Sequence, residues 1–174
     1  MQQHAIVYFP HVNLDIINSF REKYDPDRKI IKPHITLVQP LSGISEKLLI
    51  THLETITQEI KSFQITISGI TKSFDNYVFL LIKEGAENIV RMHKKLYSDI
   101  LDSYLQTDVL FIPHMTIGYF GEGNNDPNNE LFQKAYGEAK SLNINLTCNF
   151  DEIALIKGDG LKPAKIIRNC KLAL

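Results

Sequence analysis

The sequence predicts an α+β fold of two lobes related by a pseudo-twofold axis, each a mainly antiparallel sheet with outer helices, with a cleft between them. Three observations lead to this expectation. A proline followed by His-x-Thr and an apolar residue occurs at residues 33–37 and again at 113–117. The same order of predicted elements (helix, motif strand, helix, strand, strand) surrounds each copy. The two motif histidines lie 80 residues apart, about the length of one such unit.

Apolar periodicity and turn residues define the elements of the first half of the chain. A short strand stops at Pro10, and the helix that follows is interrupted by Asp25-Pro26-Asp27. Ser45 is the expected N-cap of the next helix. Asp75-Asn76 is expected to form a tight turn, because both residue types tolerate positive φ. The predicted elements are a strand at 4–9, a helix at 12–24, the motif strand at 35–38, a helix at 45–61 and strands at 63–74 and 77–83.

The second half repeats this order. Its predicted elements are a helix at 86–104, the motif strand at 114–120, a polar loop at 121–127, a helix at 128–141 and strands at 145–157 and 164–172. A chain of 174 residues is long enough to bury a core of its own. We therefore expect one domain over residues 1–174, with lobes at approximately 10–84 and 85–174.

Each motif places a histidine beside a threonine. Residues two apart in a strand point to the same face, so His34 shares a face with Thr36, and His114 with Thr116, while the residues between them point into the core. Two such pairs at one cleft would supply two acid/base groups and two hydrogen-bond donors to one small anion. The pattern therefore outlines a phosphate-processing site.

The structural alternative is that the motifs are remnants of a duplicated scaffold. A single histidine at the start of an apolar strand is more often structural than catalytic. From the chain's own composition, however, the expected number of Pro-His-x-Thr matches is on the order of 0.01. Two copies therefore favour the functional interpretation.

Composition restricts the partners. The net charge is −1, so no overall basic field would hold long duplex nucleic acid. No apolar run reaches the roughly 18–20 residues that a membrane helix needs. The first residues lack the basic and apolar segments of a signal peptide. We expect a cytoplasmic protein that binds a small substrate and no membrane.

The remaining reactive residues match no known metal or nucleotide pattern. The other four histidines have none of the spacings of a metal site, so no metal is expected. The two short glycine runs after strands lack the context of a phosphate loop. Cys148 and Cys170 could face each other across a hairpin, but in a reducing compartment two free, buried thiols are the expected state.

At these motifs the chain resembles the two-histidine (2H) phosphoesterase superfamily, which includes 2′-5′ RNA ligase-like and cyclic phosphodiesterase proteins. Two His-x-Thr/Ser-x motifs on an internally duplicated α+β fold define that superfamily, and the order of elements agrees over nearly the whole chain. The flanking stretches Lys23-Tyr24-Asp25-Pro26 and Phe111-Ile112-Pro113-His114 are most similar to a bacterial branch described as phosphoesterases. The resemblance implies hydrolysis of a cyclic or 2′-linked phosphodiester of a nucleotide or RNA end, without metal or cofactor.

The resemblance also implies a role for each motif residue. His34 would donate a proton to the leaving ribose oxygen, and His114 would accept one from water. The ordinary pKa of histidine, about 6.5, suits both tasks. Thr36 and Thr116 would bind the non-bridging oxygens as negative charge develops on them.

One stretch departs from the superfamily. Many relatives place an arginine a few positions after the second motif, where this chain has Gly118-Tyr119-Phe120. Lys32 is a candidate for the missing charge, with a solvated loop lysine as the alternative. Strand alternation places Phe120, rather than Tyr119, beside His114, where it could stack on a nucleobase, with ordinary packing in the core as the alternative.

Two other functions stay open at this point. One is a non-catalytic module that binds a phosphorylated nucleotide or RNA end in the same cleft. The other is a metal-dependent hydrolase that uses the remaining histidines.

Overall fold

The computed structural model describes residues 2–73, 76–120 and 129–174. Short 3₁₀ turns follow the first and third helices, at Pro26–Lys29 and Asp99–Tyr104. The described elements are, in chain order, β1 (Gln3–Tyr8), α1 (Asp15–Tyr24), β2 (Ile35–Leu41), α2 (Glu46–Gln58), β3 (Phe63–Lys72), β4 (Tyr77–Ile82), α3 (Ala86–Leu96), β5 (His114–Tyr119), α4 (Glu130–Ser141), β6 (Asn145–Phe150), β7 (Glu152–Gly158) and β8 (Lys165–Lys171).

The described strands form one antiparallel sheet in the order β6-β3-β4-β5-β2-β1-β7-β8. The two motif strands, β2 and β5, are therefore neighbours at its centre, where Ile35 lies opposite Met115. Three further strands extend from each of them, and α1 packs on β5 while α3 packs on β2. The predicted α+β class with a mainly antiparallel sheet is confirmed.

The halves of this sheet differ from the predicted lobes at 10–84 and 85–174. One half consists of β1 and β2 with β7 and β8, and the other consists of β3, β4 and β5 with β6. The boundaries of the sequence repeat and the division of the sheet are therefore not the same. The repeat is contiguous in the chain, but each half takes strands from both ends of it, and local periodicity does not specify the partner of a strand.

Two predicted elements need smaller corrections. The strand predicted at 145–157 is two strands, β6 and β7, which pair with β3 and β1 in opposite halves of the sheet. The helix predicted at 86–104 ends at Leu96 and is followed by a 3₁₀ turn. Asn76 has a φ of 65°, as its predicted place in a turn requires. Asp75 and the predicted polar loop at 121–127 lie outside the described residues.

The helices cover one face of the sheet. One hydrophobic core joins residues of all four described helices, such as Phe20 and Leu53, to strand residues such as Tyr8 and Ile35. Val7 belongs to a separate, smaller apolar cluster and is paired with Thr36. Because neighbouring side chains alternate between faces, the helix-free face of the sheet carries the motif threonine.

Two further findings concern the membrane and thiol predictions. In the described ranges, none of the helices combines the length and hydropathy that crossing a bilayer requires. Cys148 in β6 and Cys170 in β8 are both free. Their strands lie at opposite edges of the sheet and do not form a hairpin together.

Candidate functional site

The centre of the sheet brings the two motifs together. His34, Thr36 and Thr116 line one cavity of about 440 Å³. Thr36 and His114 line an adjoining cavity of about 310 Å³, so Thr36 borders both. The residue after each motif histidine, Ile35 or Met115, is fully buried on the opposite face of its strand.

Each motif histidine makes the same hydrogen bond. His34 Nδ1 lies 2.8 Å from the carbonyl oxygen of Lys32, and His114 Nδ1 lies 2.7 Å from that of Ile112. A carbonyl oxygen only accepts hydrogen bonds, so Nδ1 is the nitrogen that carries the proton in the neutral ring. This leaves Nε2 of both imidazoles available to accept or donate a proton.

Burial lowers the affinity of both imidazoles for a second proton. Desolvation lowers the pKa of His34 to about 4, although the hydrogen bond to Lys32 opposes the shift. The charge of Arg21 lowers the pKa of His34 further, Asp25 opposes this effect, and His114 adds a smaller decrease. Burial also lowers the pKa of His114. At pH 7 both rings of the unliganded site are therefore neutral.

An aromatic ring accompanies each imidazole. The ring centroid of Phe79 lies 4.2 Å from that of His114, and the centroid of Phe9 lies 6.1 Å from that of His34. Phe79 is in β4 and Phe9 directly follows β1, the strands that flank β5 and β2. These apolar rings contribute to the desolvation that lowers the histidine pKa values.

Both motif strands contain an irregularity directly after the motif threonine. On β2, Thr36 is paired with Val7 but Val38 with Ile6, which leaves Leu37 as an extra residue. The equivalent shift on β5 lies between Thr116 and Gly118. An extra residue in one strand is a β-bulge, and it reverses the alternation of side chains beyond it.

The bulge on β5 decides which aromatic residue reaches the site. Tyr119 lines the 440 Å³ cavity and stacks on Tyr77 with centroids 4.4 Å apart. Phe120 instead packs with Tyr24 and Phe132, at centroid distances of 5.8 and 5.4 Å. The prediction that Phe120 lies beside His114 is wrong, because it assumed uninterrupted alternation. A glycine inside a strand, here at position 118, is the sequence signal for such a bulge.

Helix α3 stabilises the bulge on β2. The carbonyl oxygen of Leu37, the extra residue, accepts a hydrogen bond from His93 Nδ1 at 2.7 Å. The backbone N–H of Gln39 donates to the hydroxyl of Tyr97 at 3.1 Å. The His93 ring also stacks on Phe111 with centroids 3.7 Å apart, and burial lowers its pKa. Sequence patterns gave no indication of this role, because Leu37 is 56 positions away.

Lys32 contributes its main chain to the site. Its carbonyl oxygen accepts the hydrogen bond from His34, whereas the residue is exposed and lines a separate cavity of about 240 Å³ with Phe9 and His11. The structure does not bring Lys32 to the cavity of the motif threonines. Of the described residues that line the two cavities at the motifs, Arg21 is the only lysine or arginine.

The other histidines are dispersed over the described part of the chain. His4 Nε2 lies 3.2 Å from a carboxylate oxygen of Glu46, and His52 Nε2 lies 2.9 Å from the carbonyl oxygen of Leu96. Within the described ranges, no three His, Cys, Asp or Glu side chains converge on a point that could hold a metal ion.

Comparisons with known proteins agree with this arrangement. The family model described as "2'-5' RNA ligase superfamily" matches residues 9–162. A Bacillus licheniformis protein named "Putative phosphoesterase" is 31% identical over 119 residues, covering 66% of this chain and 69% of that protein. A Geobacillus protein of the same name is 26% identical and covers 88% of this chain and 87% of its own.

The fold is also similar to a solved structure. E. coli LigT in complex with 3′-AMP superposes with a TM-score of 0.64 over 99% of each chain, at 16% identity. Other structures of E. coli LigT contain NADP⁺, ATP or phosphate. The paired motifs on the two central strands, the family match over most of the length and the bacterial relatives together establish that this chain belongs to the 2′-5′ RNA ligase superfamily, the two-histidine phosphoesterases.

Proposed function

We propose that this phosphoesterase hydrolyses a cyclic or 2′-linked phosphodiester of a nucleotide or RNA end, without a metal ion, by general acid/base catalysis with His34 and His114. The observation that supports this most strongly is the pair of Nδ1 hydrogen bonds to main-chain carbonyl oxygens. They hold two imidazoles in the same tautomer beside the motif threonines. Each Nε2 can then take part in proton transfer.

The reaction needs one proton acceptor and one proton donor. Neutral His114 accepts a proton from water as the new P–O bond forms, and protonated His34 donates one to the leaving ribose oxygen as the old P–O bond breaks. Thr36 and Thr116 donate hydrogen bonds to the non-bridging oxygens, which gain negative charge in the transition state.

The histidine that donates the proton must become protonated when the substrate binds. Both histidines are neutral in the unliganded site at pH 7 because burial lowers their pKa values. A bound phosphodiester anion raises the pKa of a nearby imidazole, since it stabilises the positive charge. The pKa of His34 in the free site, about 4, opposes its protonation, so the dependence of the rate on the leaving group has to assign the donor.

The size of the site and the net charge of the chain support a small substrate. The adjoining cavities of about 440 and 310 Å³ are within the range of sites for small ligands, roughly 300–1,000 Å³. The net charge of −1 disfavours long duplex nucleic acid. The nucleotides in the structures of E. coli LigT support the choice of a nucleotide-sized ligand.

The test is incubation with the four 2′,3′-cyclic nucleotides, with and without EDTA. Turnover to a nucleoside monophosphate at the same rate in both conditions is the expected result. Sensitivity to EDTA would contradict metal independence. Saturable binding without turnover would contradict the reaction, and would favour a site that only recognises phosphate.

A further inference from the structure

A buried ion pair lies next to His34. Arg21 Nε and Asp25 Oδ2 are 2.6 Å apart, and each side chain is 4% exposed. Both residues line the 440 Å³ cavity together with His34 and Thr116. Burying two charges costs free energy that their attraction often only balances. Stability alone is therefore a weak explanation for this pair.

The pair fixes the chain segment that leads to the first motif. The other oxygen of the Asp25 carboxylate accepts a hydrogen bond from the Asp27 backbone N–H at 2.8 Å. Arg21 Nη2 donates to the carbonyl oxygen of Ile31, also at 2.8 Å. The next carbonyl along the chain, that of Lys32, accepts the Nδ1 hydrogen bond of His34. Hydrogen bonds and the covalent link between Ile31 and Lys32 thus connect the ion pair to the imidazole.

The second motif has a different support. Ile112, whose carbonyl oxygen holds His114, follows Phe111, and that ring stacks on His93 of α3. His114 therefore provides an internal reference, because its orienting contacts share no residue with those of His34.

We propose that Arg21 and Asp25 are positioning residues for His34. They hold segment 27–32 so that the Lys32 carbonyl keeps the proton of the neutral ring on Nδ1 and directs Nε2 to the reacting phosphate. The effect on turnover depends on the proposed phosphodiesterase activity, whereas the effect on the tautomer of His34 does not.

The test compares ¹⁵N NMR spectra of the imidazoles at neutral pH with steady-state turnover of a 2′,3′-cyclic nucleotide. The double variant Arg21→Met/Asp25→Leu removes both charges, so neither remains buried and unpaired. Arg21→Lys keeps the charge but removes the planar guanidinium group, which donates hydrogen bonds to two acceptors at once. Lys23→Met is the matched control, because it removes an ion pair of 2.6 Å to Glu138 on the exposed side of the same helix.

We expect the double variant to show a mixture of His34 tautomers, an unchanged His114 and a kcat lower by roughly 10–100-fold, as a misplaced catalytic group produces. Arg21→Lys should change both readouts in the same direction by a smaller amount, and Lys23→Met should change neither.

A folded double variant with the wild-type tautomer of His34 would overturn the proposal. If the double variant does not fold, Arg21→Lys decides, and a wild-type His34 spectrum in it would overturn the proposal as well. Absence of turnover in the wild-type protein would refute the proposed function alone, since the tautomer comparison is still valid.

Discussion

At the scale of single residues, the site depends on two neutral imidazoles with the same tautomer. The Nδ1 hydrogen bonds to Lys32 and Ile112 orient the rings, while burial lowers both pKa values. A neutral imidazole is ready to act as a base but not as an acid. The bound anion must therefore provide the charge that converts one of the two rings into a proton donor.

Leaving-group dependence identifies the donor. An alcohol leaves well only when it is protonated, whereas p-nitrophenolate leaves without a proton. If His34 is the donor, His34→Ala should lose about 10²–10⁴-fold on a 2′,3′-cyclic nucleotide but much less on a p-nitrophenyl phosphodiester. His114→Ala should be impaired on both substrates. The opposite pattern in kcat/KM would assign the donor role to His114.

The depressed pKa of His34 also makes stability depend on pH. An unfolded histidine, with a pKa near 6.5, binds a proton that the folded His34 does not bind until about pH 4. The resulting contribution of His34 to the free energy of unfolding is fully present above pH 6.5 and is lost as the pH falls towards 4. This contribution amounts to about 3 kcal/mol. Urea unfolding at pH 7.5 and 4.5 should show a larger loss for wild type than for His34→Gln; equal losses would contradict the low pKa.

At the scale of elements, the two bulges shape the site. Each adds a residue after the motif threonine, so Leu37 and Val38 are both buried on β2, and Ile117 and its neighbour Gly118 are both buried on β5. The strands then return Gln39 and Tyr119 to the cavity. Both copies of the internal repeat therefore contain the bulge as well as the motif.

Because Tyr119 and Phe120 point to opposite faces of the strand, replacing one should affect kinetics and replacing the other should affect stability. Tyr119→Leu removes an aromatic and polar side chain from the cavity wall, so we expect a change in KM or kcat of roughly 3–30-fold, in line with a modest change in binding contacts. Phe120→Leu should leave kinetics near wild type and lower the free energy of unfolding by about 1 kcal/mol, since it only trims packing against Tyr24 and Phe132. A kinetic defect confined to Phe120→Leu would contradict the bulge.

Local patterns in the sequence predict the elements and their class, because helical and alternating periodicities depend on near neighbours. They also predict that each motif pairs a histidine with a threonine on one face. Gly118 is a sequence signal for the bulge on β5, but the glycine alone does not give the register shift, which is defined by the pairing with the partner strand β4. The burial of Arg21 and Asp25 was missed for a similar reason. Their spacing of four residues is visible in the sequence, but such pairs usually lie on exposed helix faces.

At the scale of the whole molecule, the strand order explains why one site can form from two motifs. The central pairing of β2 with β5 joins the two halves of the sheet. The helices in the described ranges form the main core on one face of the sheet. The motif histidines and threonines lie on the opposite face, where they line the two cavities. Because β7 and β8 complete the half that begins with β1 and β2, neither half could be cut out as a contiguous segment.

The measurement that tests the central claim most directly is a double-mutant cycle of kcat for 2′,3′-cyclic nucleotide hydrolysis, with His34→Ala, His114→Ala and both together. If the histidines act on one phosphate, each single variant should lose about 10²–10⁴-fold. The double variant should then be little worse than the poorer single variant, because residues that act as a unit are not additive. Losses that multiply in the double variant would contradict a single shared site.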